Sequence, residues 1–423
     1  MKFHNNPSQE SSSCTLSRRR FLGGALAAAA VASPLNVLRS RSAELAAPAP
    51  ARPAEFKRKI KLGVVGCGGR GSWIARLFQQ HGGYEMHAVA DYFPAVAEEC
   101  GNALNVEKAR RFSGLSGYQR LMDSGVEAVA LETPPFFFPE HVKAAVDRSL
   151  HVYMAKPVAV DVPGCLAVEA AAGRATTGKR VFLVDYQLPT EPHNIEVIKL
   201  IRAGEIGKVV ALHSHYFADT FSDPPLMENI ESRLQHLIWC NDVALGGGYH
   251  VNACIHAVDA ALCVAGERPI AAMGLSLRGR TNPHGDSHDV FEIGFEFANG
   301  TIMSHRGEHL GNQLGFDVIC QVVGTTGHAQ ICYGGKTFLR GRENRYEGEV
   351  PNPYEPGAVR NITRFYECVT TENYTNDTVR RSVDGALATM LAREASLRRT
   401  RMTLDELLKE NRRLDVSLRG LRT

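Results

Sequence analysis

The segment Lys59-Ile60-Lys61-Leu62-Gly63-Val64-Val65-Gly66-Cys67-Gly68-Gly69-Arg70-Gly71-Ser72-Trp73-Ile74-Ala75-Arg76-Leu77-Phe78 decides the fold. Its first seven residues read as a short apolar strand and the stretch from Ser72 as a helix, so a Gly-x-Gly-x-x-Gly string falls at a strand-to-helix turn. In that setting each glycine has a task. Gly66 permits the tight turn, Gly68 lets the backbone approach a pyrophosphate, and Gly71 allows close packing of helix on strand, while the helix N-terminus faces the anion. Gly69 and Arg70 complete the candidate cofactor-binding loop. A second strand, Glu85 to Ala90, ends in Asp91, 25 residues beyond Gly66. A carboxylate there can hold the ribose hydroxyls and repel a 2′-phosphate, which favours NAD over NADP; Arg70 or a neighbouring Arg is the group that would accept the phosphate instead.

Further apolar strands follow at Ala128 to Glu132, ending in Thr133-Pro134-Pro135, and at His151 to Met154, ending in Ala155-Lys156-Pro157, with a helix from Pro139 to Ser149 between them. Such alternation marks a parallel, doubly wound sheet, whose ligands sit at the carboxyl ends of the strands. Thr133, Pro134 and Lys156 are therefore cofactor-binding candidates. From Lys208 to about Tyr333 the pattern changes to alternating apolar and polar residues, as in Val290 to Phe297 before the Asn299-Gly300 turn, which predicts a largely antiparallel sheet with one buried face. Residues Ser382 to Leu408 read as helix packing back on the first domain. The fold class is α/β: a Rossmann doubly wound parallel sheet over 58–187, then an α+β domain over 188–423 with a large, mainly antiparallel open sheet and C-terminal helices.

The first 57 residues do not read as fold. Ser17-Arg18-Arg19-Arg20-Phe21-Leu22 leads into a weakly hydrophobic Gly/Ala run, which is the pattern of a twin-arginine signal over 1–32, followed by an Ala/Pro-rich linker over 33–57. The expectation is export, to a periplasm or its equivalent. Lys and Arg number 48 against 45 Asp and Glu, with no basic stripe interleaved with aromatics, so nucleic acid is excluded as a partner. No apolar run is long enough to insert the mature protein in a membrane. The ten cysteines lack CxxC spacing, and His284, His288, His305 and His309 fit no ligand pattern, so no metal is assigned. Folding before export leaves the thiols reduced and buried.

At this point the chain resembles the Gfo/Idh/MocA oxidoreductases, named after glucose-fructose oxidoreductase and inositol dehydrogenase, from about residue 58 to the end. The family's Glu-Lys-Pro motif is matched by Ala155-Lys156-Pro157, with Lys kept and Glu replaced. Its Gly-Gly stretch followed by Asp, with His four residues later, is matched by Gly246-Gly247-Gly248-Tyr249-His250-Val251-Asn252-Ala253-Cys254-Ile255-His256, with Asn252 in place of Asp. Tyr186-Gln187-Leu188-Pro189 also reads as the family does after its Rossmann domain. The resemblance implies a sugar or polyol substrate, a nicotinamide cofactor, Gln187 beside the substrate, and a homo-oligomer built through the C-terminal sheet.

The residues also argue their own chemistry. Asn252, His256 and Asp259 fall at i, i+4 and i+7 in a stretch of helical periodicity, Tyr249 to Val264, which would put all three on one substrate-facing side. Oxidising a carbinol carbon needs a base for the hydroxyl proton, and His256 suits that role. Lys156 would polarise the same hydroxyl, and Asn252 would bind a hydroxyl without acting as a base. His250 stands close by as a supporting residue. Because no free nicotinamide pool serves an exported enzyme, the cofactor is expected to be tightly held and reused. The leading expectation is an NAD(P)-dependent sugar or polyol dehydrogenase or sugar–sugar oxidoreductase. The alternative is a redox-neutral glycoside hydrolase working through transient sugar oxidation.

Overall fold

In a computed structural model, residues 56 and 58–423 are described; the expected signal and nearly all of the linker lie outside them. Six parallel strands, β1 (Ile60–Val65), β2 (Tyr84–Asp91), β3 (Arg111–Ser113), β4 (Ala128–Leu131), β5 (His151–Ala155) and β6 (Phe182–Asp185), pair in the order β3-β2-β1-β4-β5-β6. Helices cover both faces, so the central strands are buried on each side and read as unbroken apolar runs: all four residues of β4 and of β6 are buried. The order reverses between β1 and β4, and a crevice opens at their carboxyl ends. Both the Gly66–Gly71 loop and Thr133 lie at that switch point.

A second sheet of nine strands carries the rest: β7 (Val209–Ala218), β8 (Ala271–Leu277), β9 (Val290–Glu296), β10 (Ile302–His309), β11 (Asp317–Gly324), β12 (His328–Cys332), β13 (Gly335–Arg340), β14 (Arg345–Val350) and β15 (Met402–Thr403). It is antiparallel except where β10 runs parallel to β7. In β10 every second residue is buried, from Met303 through His305 and Gly307 to His309. The inner face of the sheet packs, through β7 and β11, on helix Ile255–Ala265, and the outer face stays open.

Both C-terminal helices return to the first sheet. Ala358, Ile362, Phe365 and Val369, on helix Tyr354–Thr370, join Ile60, Leu62, Val64 and Phe78 in one core. At the head of helix Asp377–Arg398, Asn376 Oδ1 and Thr378 Oγ1 accept from the backbone N–H of Phe182 and Val184, at 2.7 and 3.0 Å. The single helix expected over Ser382 to Leu408 is two. It stops where Arg399 turns left-handed, β15 intervenes, and Thr403 with Glu406 forms a capping box for Leu404–Glu410. The continuous α-helix expected from Tyr249 to Val264 is also interrupted: His250–Cys254 is a π turn, and the α-helix runs Ile255–Ala265.

Candidate active site

The three glycines have the spatial roles that the turn requires. Gly66 has φ +90°, and a Cβ there would lie 2.7 Å from the Glu132 backbone; a Cβ on Gly71 would stand 1.8 Å from the Gly66 carbonyl oxygen. Around Gly68 and Gly69 a Cβ would meet nothing within 4 Å. That leaves an open cradle at the N-terminus of helix Gly69–His81, whose first-turn N–H groups have no intrahelical acceptor. Cradle and dipole together fit a pyrophosphate.

Asp91 stands at the end of β2, where its Oδ2 accepts from Cys67 N–H at 2.7 Å and its Oδ1 from Phe93 N–H at 2.9 Å. The carboxylate thus braces the glycine loop and keeps lone pairs for a further donor. Burial pushes its pKa up, against those two hydrogen bonds. Thr133 borders Gly66 across the switch point with Pro134 following it in the chain, and Thr133 Oγ1 lies 3.2 Å from His141 Nδ1.

Arg70 turns the other way. Its guanidinium pairs with Glu132 at 3.0 Å and with Asp185, and donates to Tyr354 Oη at 3.0 Å, so it is committed to the inner crevice. Tyr354 in turn stacks on Trp73 at 4.5 Å between centroids. Burial raises Glu132 to about 7, with the Arg70 charge opposing the rise, and its Oε1 has no partner among the described residues.

Lys156 follows β5. Its Nζ donates to the Asn252 carbonyl oxygen at 2.7 Å, which ties the Rossmann strand to the π turn. Burial, helped by the Arg70 charge, lowers its pKa to about 8. His256 is buried and lies between aromatic rings, near-parallel to Tyr216 at 6.0 Å and edge-on to Tyr333 at 5.5 Å. Burial, then the Lys156 and Arg70 charges, hold its pKa well below the ordinary histidine value, so the ring is neutral. Two buried atoms here lack partners among the described residues: His256 Nδ1 and Asn252 Nδ2. Lys156, Asn252 and His256 are therefore brought together.

Asp259 and Gln187 are not. His256 and Asp259 are three positions apart in the α-helix Ile255–Ala265, so their side chains leave its axis about 60° apart and meet different neighbours. Asp259 instead lies fully buried with one oxygen 2.9 Å from Arg381 Nε, and Arg381 spreads over the Tyr186 ring. The expected substrate contact at Asp259 gives way to an internal ion pair. Gln187 is 1% exposed; its Nε2 donates to Asp185 and its Oε1 accepts from Tyr333, so it orders the network behind the site instead of offering a free end. His213 and His215 lie on the outer face of β7, paired with Ser304 and Asp317, while Tyr216, the next residue along the strand, faces His256.

The sequence reading passed over Glu132, Asp185 and Asn361. Glu132 directly follows β4 and Asp185 ends β6, and Asn361 Nδ2 donates to both Asp185 Oδ1 and the Tyr186 carbonyl. An acid at the carboxyl end of a sheet strand was the available signal for the first two. Asn361 had only a sequon, which its burial makes irrelevant.

The comparisons agree with this fold. Residues 60–184 match the oxidoreductase family with an NAD-binding Rossmann fold, and residues 195–330 match the GFO/IDH/MocA C-terminal domain. Together the two matches take in more than half of the chain, which belongs to the Gfo/Idh/MocA oxidoreductase family. Among its relatives is inositol 2-dehydrogenase of Klebsiella pneumoniae strain 342, 25% identical over 281 residues, covering 64% of this chain and 74% of the relative. Aldose-aldose oxidoreductase from Caulobacter crescentus, solved with glycerol, superposes with a TM-score of 0.66 at 21% identity, covering 82% of this chain and all of that one. Scyllo-inositol dehydrogenase from Lactobacillus casei, solved with NAD(H) and scyllo-inositol, gives 0.64 at 14% identity over the same shares.

Proposed function

We propose that this protein is an exported, NAD-dependent oxidoreductase that transfers hydride at one carbinol carbon of a neutral sugar or polyol. The observation that carries the reading is the meeting of Lys156, Asn252 and His256 beside the open glycine cradle, with Nδ1 of His256 and Nδ2 of Asn252 left for a ligand. Bound at that cradle by the Gly68 to Gly71 backbone and Asp91, NAD would accept or return the hydride.

The chain's own groups handle the proton. A neutral imidazole is a proton acceptor, so His256 takes the hydroxyl proton as the carbon is oxidised and gives it back on reduction. Lys156, fixed by the Asn252 carbonyl, donates to the same oxygen and stabilises the charge that develops there. Asn252 Nδ2 donates to a neighbouring hydroxyl. Arg70 and Lys156 are balanced by Glu132 and Asp185, so the crevice suits an uncharged polyhydroxyl ligand more than an acid. The commitment of Arg70 to those two acids also supports NAD over NADP. Retention of the cofactor, and assembly through the open face where Met273, Leu275, Leu277 and Ile302 are exposed, complete the reading.

The test is a panel of sugars and polyols, deuterated at the carbinol carbons, given to the purified protein. Deuterium should appear on the nicotinamide with wild type and not with His256→Ala. Free monosaccharide released from a glycoside with no net redox change would favour the hydrolase instead. Fractionation of cells expressing wild type and Arg18→Lys/Arg19→Lys tests export: the wild type should leave the cytoplasm and the variant should stay.

A further inference from the structure

Behind the candidate site lies a second cluster that the proton chemistry does not use. His250 and Cys254 begin and end the π turn, and His305 points inward from β10. All three are fully buried, and one ring nitrogen of each histidine and Cys254 Sγ lie within 4.8 Å of one another. We propose that these three residues bind one soft d10 metal ion, with copper(I) favoured over zinc(II).

The outer nitrogens are already occupied. His250 Nδ1 faces the Thr389 carbonyl at 3.1 Å, so that nitrogen carries the proton and Nε2 presents its lone pair inward. His305 Nδ1 lies 2.8 Å from Ser214 Oγ. Orienting a ligating imidazole through its far nitrogen is how metal sites fix tautomer and direction. Both Nε2 atoms are buried with no hydrogen-bond partner among the described residues, and leaving such atoms bare is unfavourable. One ion satisfies both and the sulfur as well. Ligand bonds of ~2.0–2.3 Å would draw the three donors to roughly 3.5 Å apart, a modest contraction from their present spread. Gly307 makes the approach possible, since a Cβ there would fall 2.5 Å from Cys254 Sγ.

Charge decides between the ions. On binding, Cys254 loses its thiol proton to solvent. One thiolate with two neutral imidazoles makes a neutral complex with copper(I), but a net positive one with zinc(II), which also seeks a fourth ligand. In a fully enclosed site the neutral complex avoids the cost of burying a charge. The ion would pin β10 to the π turn whose Asn252 carbonyl holds Lys156.

The purified full-length protein is stripped with a soft-metal chelator, reloaded with copper(I) under reductant or with zinc(II), gel-filtered, and assayed for metal. About one equivalent per chain is expected with copper(I), with a thiolate-to-metal absorption band and a raised Tm. Cys254→Ser and His305→Asn should each bring occupancy below about a tenth, while Cys165→Ser, a buried thiol in the other sheet's helix layer, should leave it unchanged. Zinc(II) retained at one equivalent in a Cys254-dependent way would also support the site, though not the ordering of the ions. Wild type that retains neither metal would overturn the proposal without reliance on any variant, as would equal retention by Cys254→Ser.

Discussion

Gly68 and Gly71, two glycines of the same loop, should fail in opposite ways when given a methyl group. Gly68 has φ −63° and ψ −169°, a conformation open to alanine, and its Cβ would enter empty space. Gly68→Ala should therefore change unfolding free energy by no more than about 0.5 kcal/mol. The same methyl occupies the cradle. If it displaces two charge-assisted N–H contacts to the pyrophosphate at about 1.5–3 kcal/mol each, NAD binding weakens by roughly 10²- to 10⁴-fold. In Gly71→Ala the methyl meets the Gly66 carbonyl at 1.8 Å, so strand and helix must part; a loss of about 3 kcal/mol or more follows. Urea denaturation and calorimetric titration of NAD into stripped protein separate the two effects. Unchanged NAD affinity in Gly68→Ala, or unchanged stability in Gly71→Ala, would refute the loop geometry.

Removing the proposed base in His256→Ala should lower kcat on an established substrate by about 10² to 10⁴, with NAD still bound in a titration. Replacing Arg381 by Met leaves Asp259 charged and unpaired in the core, and a stability loss of about 3–5 kcal/mol should appear in denaturant melts. Acid should unfold the protein early. His141 is held at about 3, and His151 and His309 at about 4, all by burial. Depressed pKa values mean that the unfolded chain binds more protons, so stability is intact above the ordinary histidine range and falls as pH drops from about 6.5 towards 4. At pH 5 each group takes about 2 kcal/mol, and the three together rival the whole stability of a typical domain. A pH-resolved melt that is flat between 7 and 5 would contradict this, values chosen to bracket the ordinary histidine pKa of about 6.5.

The first sheet was legible because its information is local. β1, β2, β4 and β5 are apolar runs that end in Gly, Asp, Pro or Lys, and buried parallel strands need no partner to be recognised. β3 was not: it has three half-buried residues and exists because β2 offers an edge. In the site, Lys156, Asn252 and His256 could be named from the sequence, but their joining through the Asn252 carbonyl could not. The sequence leaves open whether Arg70 meets a phosphate, because its partners, Glu132 and Asp185, lie 62 and 115 positions away. The partner of Asp259 is equally distant in sequence, since Arg381 comes from another helix. Periodicity assumes an α-helix throughout, and the π turn at His250–Cys254 leaves no mark in hydrophobic spacing. The same turn brings His250 and Cys254 to His305, a meeting set by sheet topology and invisible to spacing rules.

The central claim is that Lys156, Asn252 and His256 carry hydride-transfer chemistry on a sugar or polyol beside a held dinucleotide. The most direct measurement is a single-turnover experiment on protein purified with no cofactor added. Denaturing one portion should release about one equivalent of NAD per chain, and mixing the rest with the sugar panel should raise the near-ultraviolet absorbance of reduced nicotinamide. The account predicts that rise with at least one neutral sugar or polyol, and its loss in both Lys156→Ala and His256→Ala with NAD retained. Protein that carries or binds NAD yet shows no reduction with any sugar or polyol, or variants that reduce it as fast as wild type, would contradict it.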